Sequence, residues 1–285
     1  MSISSDIEQE VSRRFNRHWN MGVSTLMYPH DPVRAIDEIF ETGLGLNRIE
    51  IGLGKPLEEN EALDDLSRLK ESRNIDYSLH VPFLFDDIAH PHPAVRRAFV
   101  DEALNSIDLA VEVGAEDLVI HPGYLALNQS LPDVKALNYL KQPREQYLEN
   151  SISSLKDIAR YNRSHDVTLF VENLPFGLCD TLPELKRVLN EVDGMSFILD
   201  VGHANVSSSL EDFLELEPSY LHLHDNLGNE DEHLRLGAGN LDLQNLFSRV
   251  LQQEGEKKMT LELYTVDDVV DSLELIKTVL GALST

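Results

Sequence analysis

The 285-residue sequence predicts an α/β fold, a closed (β/α)8 TIM barrel forming one domain over residues 19–285 behind an N-terminal extension at 1–18. Three observations lead there. Short β-type runs alternate with helix-type runs eight times. Parallel strands need crossover helices, and closing the sheet leaves no unpaired edge. The length suits one barrel, which runs to roughly 250 residues as a unit. Metal-ligand residue types also recur at the C-terminal ends of the strands, the face on which such barrels gather functional groups.

Residues 1–18 are polar, with a weak helical pattern through Ile7, Val11 and Phe15. From there each β-type run is followed by a stretch whose apolar residues repeat near the helical period. MGVSTLM (21–27) precedes 33–42, LNRIEIGL (46–53) precedes 58–72, IDYSLHV (75–81) precedes 94–113, and EDLVIH (116–121) precedes 144–165. VTLFVEN (167–173) precedes 182–191, MSFILDV (195–201) precedes 210–216, SYLHLHD (219–225) precedes 241–252, and KMTLELY (258–264) precedes 266–280. Gly54, Lys55 and Pro56 make a tight exit from the second strand. The connection from Pro122 to Pro143 is over-long for a compact domain, which predicts a lid over the barrel mouth or a contact in a homo-oligomer.

Lys and Arg total 24 against 50 for Asp and Glu, a formal charge of −26 and a pI near 4.6. Such a field repels phosphodiester polyanions and argues against a nucleic-acid partner. Hydrophobic residues at 42% suffice for a full core and exclude a disordered chain. The single cysteine, Cys179, allows no intrachain disulfide, and no run approaches the ~20 apolar residues of a membrane span, so a soluble cytoplasmic protein is expected.

Residues 219–233, SYLHLHDNLGNEDEH, concentrate the chemistry. Strand periodicity puts Tyr220, His222 and His224 on one face and Leu221 and Leu223 on the other. Asp231 and His233, two apart in the following loop, can converge on the same place. Other strands repeat the pattern: His80 ends the third, His121 the fourth, Glu172 the fifth and Asp200 the sixth, with His203 three residues on and Glu262 ending the eighth. Imidazoles and carboxylates converging on one rim are what a Zn, Mn or Fe site requires. A charge that follows an apolar strand is expensive unless paired or bound to a metal. The histidines of HPHP (90–93) and Cys179 read instead as loop residues.

The ordered motifs HVP, HPG, VEN, DVGHA, HLHDN, DEH, GAGNLD and LELY resemble, over about residues 20–280, the xylose isomerase-like TIM barrel superfamily of sugar isomerases, epimerases and endonuclease IV. In the isomerase and epimerase branch, the resemblance implies one divalent ion (Zn, Mn or Co) held at Glu172, Asp200, His222 and Glu262; for such chemistry Glu172 and Glu262 are the natural catalytic pair, because each ends a strand on a different side of the rim. His203 and His224 would then contact substrate, and Lys55 or Arg235 would meet a phosphate on a sugar phosphate. In endonuclease IV a zinc cluster has nine ligands with counterparts at His80, His121, Glu172, Asp200, His203, His222, Asp231, His233 and Glu262, which implies two or three ions and phosphoester hydrolysis. The chain departs from that enzyme in lacking the lysine after its HxND segment and in carrying an acidic loop there. The resulting expectation is an isomerase or epimerase acting on a small sugar or sugar phosphate. The phosphoester hydrolase is the alternative, and a non-catalytic barrel that binds a metal or sugar is a further one.

Overall fold

The computed structural model describes residues 19–53, 60–82, 87–125 and 143–283. The N-terminal extension, Lys55 with its glycine and proline neighbours, and most of the long connection after Pro122 lie outside the described residues.

Eight parallel strands close into a barrel in sequence order. They are β1 (Trp19–Ser24), β2 (Arg48–Gly52), β3 (Asp76–His80), β4 (Ala115–Ile120), β5 (Thr168–Glu172), β6 (Met195–Asp200), β7 (Tyr220–Leu223) and β8 (Lys257–Leu261). β8 pairs with β1 to complete the ring, with Met21 opposite Met259. The helices between them are α1 (Pro32–Glu41), α2 (Asn60–Arg73), α3 (Pro93–Val113), α4 (Pro143–Asn162), α5 (Leu182–Glu191), α6 (Val201–Val206), α7 (Leu210–Leu214), α8 (Leu243–Leu251) and α9 (Val266–Leu283). Local chemistry starts and stops them. The Asp31 carboxylate accepts from Arg34 N ahead of α1, Asp242 does the same for Asn245 N ahead of α8, and Gly114 takes the left-handed conformation that ends α3. No described helix is long and apolar enough to cross a membrane.

Several boundaries differ from the sequence expectation; β7 ends at Leu223 and β8 at Leu261, so Glu262 lies just past its strand. The first strand ends at Ser24 and not at residue 27: Thr25 Oγ1 accepts from Gly52 N at 3.1 Å, and Thr25–Met27 form a 3-10 turn that leads the chain out of the sheet. After β6 the chain enters α6 at once, because the Asp200 side chain caps it by accepting from His203 N.

Strand alternation sorts the core into two compartments. Outward-facing residues such as Ile49, Ile51, Leu79, Leu169, Leu199 and Leu221 pack against helix residues such as Ile36, Leu66, Ile107 and Leu155 in one continuous apolar layer. Inside the barrel a separate apolar cluster consists of Val119, Phe170, Ile198 and Tyr220. Beneath it, toward the N-terminal ends of the strands, Arg48 is fully buried and ion-paired with Asp117, which also accepts from Lys258. Gly22 makes room for that arginine, since a Cβ there would come within 2.7 Å of Arg48 O and 2.9 Å of its Cγ.

Candidate functional site

The interior apolar cluster sets the floor of the site. Two residues beyond Val119, Phe170, Ile198 and Tyr220 on the same four strands come His121, Glu172, Asp200 and His222, so the two-residue repeat raises each of these side chains one layer toward the C-terminal mouth. Register places Asp200 opposite His222 on β6 and β7. That apolar floor is buried, which strengthens electrostatic interactions above it.

Three groups form there, and in each the prospective ligand atoms lie within 4.8 Å of one another: His80, His121 and Glu172; Glu172, Asp200, His222 and Glu262; and His203, His224, Asp231 and His233. In the first, His80 Nε2 and His121 Nε2 approach Glu172 Oε2 at 3.1 and 3.3 Å. In the second, His222 Nδ1 lies 3.2 Å from Glu172 Oε1 and 3.3 Å from Glu262 Oε1. In the third, Asp231 Oδ2 faces His203 Nε2 at 3.1 Å and His233 Nε2 at 3.3 Å, while the ring of His224 stacks on that of His233 at 3.9 Å between centroids.

The outward nitrogens are held in a consistent way. Nδ1 of His80, His203 and His233 lies 2.8 to 3.0 Å from the carbonyl oxygens of Val81, Asn173 and Glu262, so each can donate there and present Nε2 as a lone pair. His121 Nδ1 lies 2.7 Å from Tyr124 OH. Metal-binding histidines are commonly oriented in this manner. Among the described residues, Asp200 Oδ2 and His224 Nδ1 are buried and find no hydrogen-bond partner. Together with the donor chemistry, those orphaned atoms make the residues a fit for divalent cations.

Burial and close neighbouring charges displace the protonation equilibria. Burial disfavours the imidazolium of His222, but the carboxylates of Glu262, Glu50 and Glu172 outweigh it and hold that group well above its usual value. By the same balance, burial opposes the charged rings of His80 and His233, yet Glu172 and Asp231 lift them to about 9. His121 goes the other way: burial, reinforced by the neighbouring His80, pushes it down to about 4. Burial, with the Glu172 and Glu50 charges added, raises Glu262 to about 7 against the pull of His222. Glu172 stays well below the carboxylate range despite burial, because the His222 charge and hydrogen bonds from His121, His222 and His80 stabilise its anion.

The groups open into a cavity of about 540 Å³, of a size suited to a small molecule, whose walls add Leu26, Asp87, Tyr124, Leu174, Pro175 and Tyr264. Asp87 is held in place by accepting from Ala89 N and Tyr124 N. The loop carrying Asp231 and His233 is anchored by buried Asp225, which accepts from Asn226 N, Gly237 N and Leu241 N.

All nine residues expected as ligands are thus brought together. His224, assigned from sequence to substrate contact, instead packs into the third group, with Nε2 3.1 Å from Asp200 Oδ1. Arg235 is not brought to the cavity: it is exposed, and its guanidinium faces Asp271 at 3.8 Å. Lys55 lies outside the described residues. His92 caps α3 and His90 accepts from His92 N, both as loop residues. Cys179 is fully buried, and its burial pushes the thiol well above the usual range, so it is inert. Sequence reading passed over Glu50, Asn173, Tyr124 and Asp225. Glu50 had a signal, since RIEIG alternates charged and apolar residues and turns two charges inward.

Residues 42–279 match the family model of the xylose isomerase-like TIM barrel. An uncharacterised protein of Methanocaldococcus jannaschii is 25% identical over 263 residues, covering 91% of this chain and 99% of that protein. Among solved structures, a D-tagatose 3-epimerase-like protein has 24% identity and a TM-score of 0.80 over 93% of this chain and 98% of that one. The D-allulose 3-epimerase from Methylomonas sp. in complex with D-allulose has 18% identity and a TM-score of 0.68 over 93% and 94%. At these identities the structural likeness is one of fold.

Proposed function

The chain belongs to the xylose isomerase-like TIM barrel family, and from that premise we propose that it is a divalent-metal-dependent isomerase or epimerase acting on a small sugar. The observation that carries this reading is that Glu172, at the end of β5, and Glu262, just past β8, both line the cavity and converge on Nδ1 of the buried His222 behind it. Glu172, Asp200, His222 and Glu262 would hold the ion. A divalent cation held there would supply Lewis acidity for the substrate oxygens. Glu172 and Glu262 take and return the proton on the sugar carbon, the base role going to whichever carboxylate lies on the face from which that proton leaves. His203, 3.1 Å from Asp231, is placed to orient a hydroxyl. Leu26, Leu174, Pro175 and Tyr264 offer an apolar wall to the C–H face of the sugar. The similarity to epimerase folds, one solved with D-allulose, supports this substrate class.

One observation favours a second reading. Glu172 serves two groups, and a third stands beside them, so the three could hold two or three zinc ions, which would supply Lewis acidity to a phosphoester hydrolase. The deciding experiment is elemental analysis of purified protein together with turnover of a ketose panel under Mn²⁺, Co²⁺ or Zn²⁺. One tightly held ion with sugar interconversion is expected. Two or three ions with phosphoester cleavage and no sugar turnover would replace the first reading by the second. Metal or sugar binding without turnover of either kind would leave a non-catalytic barrel.

A further inference from the structure

On the side of His222 away from the cavity lies a carboxylate that the chemistry above does not use. Glu50, in the middle of β2, is fully buried, and its Oε2 lies 3.1 Å from His222 Nε2. The same oxygen accepts from Tyr220 OH at 2.8 Å, and Ser78 Oγ approaches it at 3.4 Å. Tyr220 OH in turn lies 2.9 Å from Thr260 Oγ1, which can donate to it and so leave the phenol proton for Glu50. A carboxylate that accepts from Tyr220 accepts from His222 as well. Glu50 Oε1 finds no hydrogen-bond partner among the described residues, so this burial is not explained as a saturated structural network.

We propose that Glu50 is a positioning residue for His222: by accepting the Nε2 proton it selects the tautomer whose Nδ1 lone pair points at Glu172, Asp200 and Glu262. Nδ1 lies 3.2, 3.9 and 3.3 Å from oxygens of those three residues, whereas Nε2 faces the barrel interior, so only this tautomer can place its lone pair where a cation would be shared with them. The hydrogen bond also fixes the ring plane and makes Nδ1 a stronger donor. Tyr220 acts one step further out by locking the Glu50 carboxylate.

This inference rests on the metal-site reading, and the test separates the two. Co²⁺ affinity by calorimetry and the Co²⁺ visible spectrum are measured for wild type, Glu50→Ala, Glu50→Gln and Tyr220→Phe, with ring ¹⁵N shifts of His222 recorded in the Zn²⁺-loaded proteins. Glu50→Ala should weaken Co²⁺ binding roughly 10–100-fold, alter the spectrum and erase the preference for the Nε2–H tautomer. Glu50→Gln, whose amide oxygen can still accept, should recover part of that loss, and Tyr220→Phe should show a smaller loss of the same kind. A merely structural Glu50 would lower the melting temperature of the metal-free protein and leave affinity, spectrum and tautomer untouched, which overturns the proposal. The near-isosteric Glu50→Gln and Tyr220→Phe decide the matter should Glu50→Ala fail to fold. Wild type that binds no Co²⁺ overturns the metal-site reading itself, whereas wild-type binding with unaffected variants overturns only the role of Glu50.

Discussion

Glu172 presents its two carboxylate oxygens to different partners, Oε2 at 3.1 Å from His80 Nε2 and Oε1 at 3.2 Å from His222 Nδ1. One side chain at the end of β5 thereby joins two of the three groups, and its loss should be felt by both. Glu172→Gln is expected to abolish turnover and to weaken divalent-metal binding by at least tenfold, because an amide removes a ligand charge from a site already built. The circular dichroism spectrum should remain that of the folded barrel. Wild-type metal affinity in this variant would mean that Glu172 is not a ligand.

Titration of the metal-free protein carries a definite sign. Burial opposes the charged rings of His80 and His233, but the carboxylates of Glu172 and Asp231 lift them to about 9, above the ordinary histidine value of 6.5. The stability drawn from their protonated rings is complete below pH 6.5 and is lost as pH rises through about 9. Glu262, raised to about 7 from 4.5, adds a loss of the same sign at lower pH. The melting temperature without metal should therefore fall between pH 6.5 and about 9. Saturating divalent ions, which displace those protons, should flatten the fall and release protons on binding near pH 7. Thermal melts with and without Mn²⁺, and an indicator dye in weak buffer, measure both. A metal-free melting temperature that climbs across this range contradicts the assignment.

The barrel and its rim were legible because both rest on the two-residue repeat. LHLH alternates apolar residues with imidazoles, and LFVE and ILD each end an apolar run on a carboxylate, so Glu172, Asp200 and His222 could be placed from the sequence alone. Glu50 obeys the same repeat and shares the inward face with Arg48, but it lies two residues before the end of its strand and belongs one layer lower, beneath the rim to which the sequence pattern drew attention. His224 was harder, since its packing depends on Gly202, 22 positions away in the numbering, leaving space for the ring. Arg235 failed because a loop cation within reach of a site in sequence can turn outward to a helix carboxylate such as Asp271.

That dependence on Gly202 can be tested. A Cβ at this position would fall inside the His224 ring, so the imidazole must move. Gly202→Ala should cost about 1–3 kcal/mol by overpacking and should weaken metal uptake by the His203, His224, Asp231 and His233 group. Denaturant unfolding and metal titration read the two effects separately. Neither would change if the His224 ring could be displaced freely.

Cys179 makes a contrasting case. Its thiol is buried and raised, it lies outside the cavity lining, and its backbone N–H donates to Glu184 Oε2 at 3.0 Å. Cys179→Ser should leave turnover within a factor of about two, while an unpaired buried hydroxyl costs stability by about 1–3 kcal/mol. In the native wild type the thiol should resist a disulfide reagent until the protein is unfolded. Rapid native labelling, or a loss of turnover beyond tenfold in the serine variant, would assign this residue a function.

The last expectation concerns nucleic acid. Among the described residues no lysine or arginine lines the cavity, which instead carries Asp87, Glu172, Asp231 and Glu262. A duplex gains affinity chiefly by exchanging condensed counterions for protein cations, and a chain with a formal charge of −26 has few to offer. Bound divalent ions would neutralise part of the cavity and little of the surrounding field. Duplex DNA containing an abasic site should therefore show no measurable binding at physiological ionic strength, with Zn²⁺ or without it, whereas an uncharged ketose meets no such barrier. Fluorescence anisotropy with a labelled abasic duplex, run beside the ketose assay, compares the two directly. Strand cleavage without sugar turnover would place the three-group site in phosphoester chemistry.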